Sequence, residues 1–270
     1  PAIAMMLISS LYNIVDKAFV GNYVGQLGIT ATTVCNPAVR IIDAFAMLVG
    51  AGGSTLLALR LGEGRSQDAE PILNNSFLLR ILENIVLIAL GYAFTEPLLR
   101  LFGAGDQVMP YAVTYIRVVL IGAFFNSTAN GFGMFVRVDG SPRRMMLCSV
   151  TGCILNIILD PIMIFGLFGF PAMGVKGAAT AFSQIVSGLM VIHYFTLSPR
   201  STMRLRFHLF RLGKTTTLKT AELGFSSFLQ QFTGGISQSV LLSCLALLAT
   251  AETATADVAQ ASVGITVSIG

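Results

Sequence analysis

A single carboxylate inside an apolar stretch is the residue of this sequence with the clearest chemical potential. Asp160 lies in the run from Leu147 to Leu167, one helical turn after Asn156 and directly before Pro161. Residues four apart share one face of a helix, and Pro161 leaves a carbonyl one turn earlier without its helical N–H partner. Because an ionisable group at membrane depth costs roughly 3 kcal/mol, this acid predicts a functional site.

A second acid, Asp16, lies in another apolar stretch, with Tyr12 one turn before it. Two carboxylates that face each other in a low dielectric tend to hold a proton or capture a small cation such as Na⁺. The structural alternative is that neighbouring Lys17 neutralises Asp16, or that Asp16 is an ordinary hydrogen-bonding group. Adjacent residues diverge by about 100° on a helix, so Lys17 can extend to the membrane surface instead. We therefore favour an ion-coupling role.

The composition predicts the architecture that positions these acids. It is that of an all-α membrane protein, built as a polytopic helical bundle. Hydrophobic residues make up 54% of the chain and charged residues 11%, a balance far from that of a soluble domain. The net charge of +4 comes from loops between apolar segments, so we expect no nucleic-acid partner. No nucleotide motif and no Ser/His/Asp or Cys/His set is visible, so we expect neither an enzyme nor a cofactor.

Seven segments are apolar and long enough to cross about 30 Å of hydrocarbon as helices, and an eighth apolar segment begins near Val258. Basic residues concentrate in the loops after the second, fourth and sixth segments, which predicts that these loops and the N-terminus are cytoplasmic. The predicted segments are Ala2 to Gly21, Thr30 to Leu61, Ile72 to Leu99, Val108 to Val136, Met145 to Leu167, Gly174 to Leu197, Leu218 to Ala249, and one beginning near Val258.

This topology places three polar residues on three different helices at one depth. Counted from the outer ends of their segments, Asp16, Asp160 and Thr180 all lie about 8 to 9 Å below the outer boundary, at 1.5 Å per residue. We therefore expect one cavity lined by Asp16, Asp160, Asn156, Thr180 and Tyr12.

Other intramembrane charges have a structural interpretation. Arg40 and Asp43 are three residues apart, as are Arg80 and Glu83, so each pair can neutralise itself on one helix face. Arg117 has no such partner and could serve an acid on another helix. The small residues of the run Gly50-Ala-Gly-Gly-Ser, which lacks the ending of a phosphate loop, predict close helix packing.

Three elements resemble the multidrug and toxic compound extrusion (MATE) family. They are Tyr12-Asn-Ile-Val-Asp16, Asn156-Ile-Ile-Leu-Asp160-Pro, and Met173-Gly-Val-Lys-Gly-Ala-Ala-Thr180. The resemblance implies twelve helices in two six-helix lobes, of which this chain would be an N-terminal fragment. It would hold a first lobe at residues 1–197, a basic cytoplasmic linker at 198–217, and the start of the second lobe at 218–270.

The resemblance also implies a function: a monomer in the cytoplasmic membrane that exports organic cations or drugs in exchange for H⁺ or Na⁺. The ion-binding cluster of the first lobe would consist of Asp16, Asp160, Asn156, Thr180 and Tyr12. A Na⁺ ion would bind to Asp16, Asp160, Asn156 and Thr180. Gln230 and Gln231 occupy the polar positions of the seventh helix, where some members carry an acid, so the pattern is closer to the DNA-damage-inducible and staphylococcal exporters. The alternatives are a lipid-linked oligosaccharide flippase, whose cavity would need Arg40 and Arg117, and a truncated subunit that does not transport.

Overall fold

The fold is a bundle of long helices, as the composition predicts. The computed structural model describes residues 26–165, 178–199, 201–206 and 212–249. Within these ranges the α-helices are α1 (Gln26–Gly62), α2 (Ala69–Ala93), α3 (Thr95–Leu101), α4 (Met109–Val138), α5 (Pro142–Phe165), α6 (Ala178–Leu197) and α7 (Lys214–Ala249), with a 3₁₀ turn at Ser66–Asp68. The first and eighth predicted segments lie outside the described residues.

Five stretches of the described chain are long and apolar enough to cross a membrane. They are Leu27–Gly62, Ser66–Ala93, Met109–Val138, Pro142–Met163 and Thr180–Leu197. These confirm the second to sixth predicted segments. Helix α7 is long enough to span, with 36 residues, but it is less apolar than the other five. It packs along α1.

The third predicted segment is divided between two helices, which corrects the expectation of one helix from Ile72 to Leu99. Helix α2 ends at Ala93, Phe94 has a non-helical backbone, and the seven-residue α3 follows. The physical reason is Pro97, which has no N–H to donate to the carbonyl of Ala93 and whose ring would clash with it.

Two apolar cores lie at opposite ends of the bundle. One core joins the end of α1, the start of α2 and the ends of α4 and α6, with Leu57, Leu73 and Phe135 fully buried. The other core joins the start of α1, α3 and the start of α4, around Val34 and Leu99. A layer of buried polar residues on α2 and α4 lies between them.

Glycines allow the helices to approach closely, as the run beginning at Gly50 predicts. A Cβ added to Gly50 would lie 2.4 Å from the Cα of Gly131 on α4. On the other side of α1, a Cβ on Gly52 would lie 1.9 Å from the carbonyl oxygen of Thr220, and one on Gly224 would lie 1.9 Å from that of Leu48. Backbone therefore meets backbone where α1 crosses α4 and α7.

The segment after α6 is held against the rest of the bundle by side chains. The carboxylate of Asp139, after the end of α4, accepts hydrogen bonds from the Tyr194 hydroxyl at 2.7 Å, the Ser201 hydroxyl at 3.0 Å and both the amide and the hydroxyl of Thr202. Asn74 of α2 is bonded to the backbone of Arg204 and Arg206. Helix α7 begins at Lys214, so the last four residues of the expected linker are helical.

Candidate functional site

Three of the predicted site residues meet where α5 lies beside the start of α6. The side-chain amide of Asn156 donates from Nδ2 to Oδ2 of Asp160 at 3.0 Å, and its Oδ1 accepts from the backbone N–H of Thr180 at 3.2 Å. This is the amide orientation that satisfies both partners. The same amide lies 3.5 Å from the Thr180 hydroxyl. All three side chains are buried.

Local sequence explains this arrangement. Asn156 and Asp160 are one turn apart on α5, so one face of the helix presents both side chains. Thr180 lies near the start of the described part of α6, and its backbone N–H donates to the Asn156 amide oxygen. A Cβ on Gly152 would lie 2.0 Å from Oγ of Ser187, so this glycine allows α5 and α6 to come together.

This group has the chemistry of a small-cation or proton site. One carboxylate, one amide oxygen and one hydroxyl are the oxygen donors that hard cations take, and a buried carboxylate can instead be neutralised by a proton. The other two predicted members, Asp16 and Tyr12, lie outside the described residues. Their place beside Asp160 stays a prediction.

An aromatic surface is formed where α1 and α7 face each other. Phe228 of α7 lies between Phe225 and Phe232, with ring centroids 6.2 and 5.2 Å away, and Phe45 of α1 meets it edge-on at 5.0 Å. Phe225 is 56% exposed in the described structure. Such a surface can stack against planar organic ligands.

The two basic residues that a flippase would need lie against different helices. The Cβ of Arg40 is near Gly235 of α7, and its side chain is exposed. Arg117 is also exposed, and its carbonyl accepts a hydrogen bond from the hydroxyl of Tyr92 on α2. The described contacts place Arg117 beside α2 and Arg40 beside α7.

The charge pairs on α1 and α2 differ from each other. Arg80 and Glu83 form the predicted ion pair at 2.6 Å, and Arg80 is 1% exposed. Arg40 and Asp43, by contrast, form no ion pair in the described part of the chain, which corrects the expectation that they neutralise each other. One carboxylate oxygen of Asp43, Oδ1, is buried without a hydrogen-bond partner among the described residues.

Sequence reasoning also missed the polar neighbours of Arg80. Asn84, one turn later on α2, accepts from Nη2 of Arg80 at 3.4 Å and from the Ser127 hydroxyl of α4 at 3.1 Å. The signal available in the sequence was an asparagine, Asn84, one helical turn after an arginine in an apolar segment.

Comparisons with known proteins identify the family of this chain. The family model described as MatE matches residues 1–162. The chain is 28% identical over 237 residues to the FAD transporter of Shewanella oneidensis, covering 87% of this chain and 52% of that protein. It is 27% identical over 243 residues to the multidrug export protein MepA of Staphylococcus saprophyticus, covering 89% and 53%.

Solved structures show the same architecture. A ligand-bound structure of the MATE multidrug transporter DinF-BH superposes with a TM-score of 0.88 at 26% identity, over 99% of this chain and 58% of that one. The inward-facing conformation of a multidrug resistance MATE transporter of the MOP superfamily gives a TM-score of 0.84 at 27% identity, over 95% and 56%. The chain thus spans about half the length of the curated relatives it matches.

Proposed function

The chain belongs to the MatE family, and on that premise we propose that it acts in an ion-coupled antiporter that exports organic cations across the cytoplasmic membrane. The observation that carries the proposal is the buried group in which Asn156 joins the Asp160 carboxylate to the first turn of α6. The coupling ion is H⁺ or Na⁺, and Asp16 and Tyr12 complete the site from the first segment.

The proposed mechanism is alternating access. An ion from outside neutralises the Asp160 group, and the helices that form it repack so that the outward cavity holds a bound cation less tightly. A ligand shifts the equilibrium between two conformational states only by the difference in its affinity for them. The Asp160 carboxylate must therefore respond to both the ion and the substrate. Helix α5 can bend at Pro161, because the carbonyl one turn earlier has no N–H partner there.

The proposed substrates are planar, lipophilic cations. The Phe45 and Phe228 rings and their neighbours on α7 offer faces for stacking and for cation–π attraction. The names of the relatives, multidrug export protein MepA and MATE multidrug transporter DinF-BH, support this class.

Efflux of a fluorescent lipophilic cation tests the proposal. Vesicles that carry the full-length protein would be compared with the Asp160→Asn variant under separately imposed proton and sodium gradients. The matched control is Asp106→Asn, which changes a loop acid whose side chain is 87% exposed. We expect gradient-driven efflux to be lost in Asp160→Asn and kept in Asp106→Asn, and the effective gradient to identify the ion. Unchanged efflux in Asp160→Asn would make this acid structural and refute the mechanism.

A second candidate function is export of an anionic flavin dinucleotide. The specific observation is Arg40, an exposed cation on α1 that faces α7 beside the aromatic surface and has no ion-pair partner in the described part of the chain. One relative is named FAD transporter. A guanidinium pairs well with phosphate groups and a flavin ring stacks well on aromatic rings. On this alternative, Arg40→Gln lowers flavin release into the medium and leaves cation efflux unchanged.

The remaining alternatives are separated by the same assays. A lipid-linked oligosaccharide flippase would require its basic residues in one cavity, and Arg40 and Arg117 contact different helices. A truncated subunit that does not transport would show no gradient-driven efflux of the cation in any variant.

A further inference from the structure

The turn between α4 and α5 carries arginines that have no acidic partner. Ser141 joins the two helices, because its N–H donates to the carbonyl of Val136 and its carbonyl accepts from the N–H of Arg144. Arg137 on one side of this turn and Arg143 on the other are both exposed. In the described part of the chain, Arg137, Arg143 and Arg144 form no ion pair. Among the described residues, their positive charge is therefore left to a partner from outside the chain.

The acid of this turn, Asp139, is held by hydroxyl and amide groups and not by the arginines. Its carboxylate accepts hydrogen bonds from the hydroxyls of Tyr194 and Ser201 and from the amide of Thr202. The guanidinium of Arg144 lies over the Tyr194 ring, 5.7 Å from its centroid, which fixes this arginine beside the turn. The carboxylate is thus directed to α6 and the segment after it, and the arginines face their surroundings without it.

Other exposed arginines at the same end of the bundle are paired with acids. Arg65, which follows α1, lies 2.8 Å from the carboxylate of Asp68. Arg206, in the segment after α6, lies 3.5 Å from the carboxylate of Glu70 on α2. The turn between α4 and α5 therefore differs from these places in its charge balance and not in its exposure.

Helix α5 presents an exposed apolar stripe that begins at these arginines. Leu147, Ile154 and Ile158 are exposed, and together with Arg143 they are separated by four, seven and four residues, so they share one face of the helix. Asn156 is two residues from Ile154 and from Ile158, which places it about 200° away, on the opposite face. From Arg143 to Ile158 the stripe is about 22 Å long. One leaflet contributes about half of the 30 Å of hydrocarbon, or about 15 Å, so the stripe can accompany an acyl chain over its whole length.

We propose that Arg137 and Arg143, with Arg144 beside them, bind the headgroup of an anionic phospholipid whose acyl chains lie along the exposed stripe of α5. Guanidinium groups bind phosphate oxygens through charged hydrogen bonds, and basic residues at the ends of membrane helices attract anionic lipids. The stripe favours a lipid over free phosphate, because a free anion gains nothing from apolar side chains. A zwitterionic lipid has the same phosphate but also carries a positive charge, which the arginines repel.

Native mass spectrometry of the full-length protein in detergent measures this binding. The protein is titrated with phosphatidylglycerol, with phosphatidylcholine of the same acyl chains, and with glycerophosphoglycerol, which has the headgroup but no chains. The test variant combines Arg137→Gln with Arg143→Gln. The matched control combines Arg65→Gln with Arg206→Gln, which removes the same charge from the same end of the bundle but from arginines that are paired. Size-exclusion profiles check that both variants fold.

We expect wild type to bind phosphatidylglycerol more tightly than either of the other two probes. Each arginine near an anionic headgroup contributes about a fivefold factor, so the test variant should bind phosphatidylglycerol about 25-fold more weakly. The control should bind it nearly as wild type does. An equal loss in both variants would show attraction by overall charge and overturn the site, as would equal binding of phosphatidylcholine by wild type. Equal binding of glycerophosphoglycerol would overturn the role of the α5 stripe and with it the assignment to a lipid.

Discussion

The packing of α7 against α1 gives a prediction whose size follows from backbone distances. In Gly224→Ala the new Cβ would lie 1.9 Å from the carbonyl oxygen of Leu48, a backbone atom that cannot rotate away. Non-bonded heavy atoms pack best at about 3.5 to 4.0 Å, so the two helices must separate by about 1.5 Å or more at this point. Added volume in a packed interface costs about 1 to 3 kcal/mol.

A matched control removes the effect of helix propensity. Alanine is favoured over glycine inside a helix by about 1 kcal/mol, which would partly hide the cost of the clash. Gly234, ten residues later on α7, has no atom within 4 Å of an added Cβ. Gly234→Ala therefore gains the propensity without the clash, and we expect Gly224→Ala to be less stable than Gly234→Ala by about 1 to 3 kcal/mol.

The assay is heat-induced loss of monodisperse full-length protein, followed by size-exclusion chromatography, for wild type and both alanine variants. Gly52→Ala, whose Cβ would lie 1.9 Å from the carbonyl oxygen of Thr220, should resemble Gly224→Ala. Equal melting temperatures for Gly224→Ala and Gly234→Ala would show that α1 and α7 do not pack backbone to backbone, and would refute the reasoning.

Three further predictions test the linker, the topology and the ion site. Asp139→Asn weakens the hydrogen bonds that hold residues 201 and 202, so trypsin should cleave the basic segment after α6 faster than in Asp106→Asn. Equal cleavage rates would contradict that role. Gly62→Cys and Gly105→Cys both add a side chain in open space. With the four native cysteines replaced by serine, an impermeant maleimide added to intact cells should label only the second; labelling of the first would reverse the predicted orientation. Asn156→Ala removes a hydrogen bond that stabilises the ionised form of a buried carboxylate, worth about 1.5 to 3 kcal/mol, so proton-driven efflux should reach half its maximum at a proton concentration lower by at least about tenfold. An unchanged ion requirement would exclude Asn156 from the site.

Periodicity and topology together predicted the part of the site that lies on neighbouring helices. The spacing of Asn156 and Asp160 fixed a shared face, and counting from the segment ends placed Thr180 at the same depth, where it is found. Hydrophobicity could not predict the break at Phe94, because that break depends on how Pro97 blocks one hydrogen bond inside an otherwise apolar run.

The same reasoning failed for the charges on α1. Arg40 and Asp43 are three residues apart, but they form no ion pair within the described residues, because the packing of α1 on its neighbours and not the spacing alone places their side chains. Glycines on α1 set that packing, since a Cβ on Gly53 would lie 2.6 Å from the Ser76 hydroxyl of α2. A sequence shows which residues are charged and which are small. Which charges pair across helices depends on how the small residues let those helices pack.

The packing of α4 indicates which helices can move. Gly122 and Gly188 bring α4 and α6 together, since a Cβ on Gly188 would lie 2.6 Å from the carbonyl oxygen of Phe125. No proline interrupts α4 beyond its first turn, whereas α1 contains Pro37 and α5 contains Pro161. Movement that follows ion binding is therefore expected in α1 and α5, while α4 and α6 stay together as the frame.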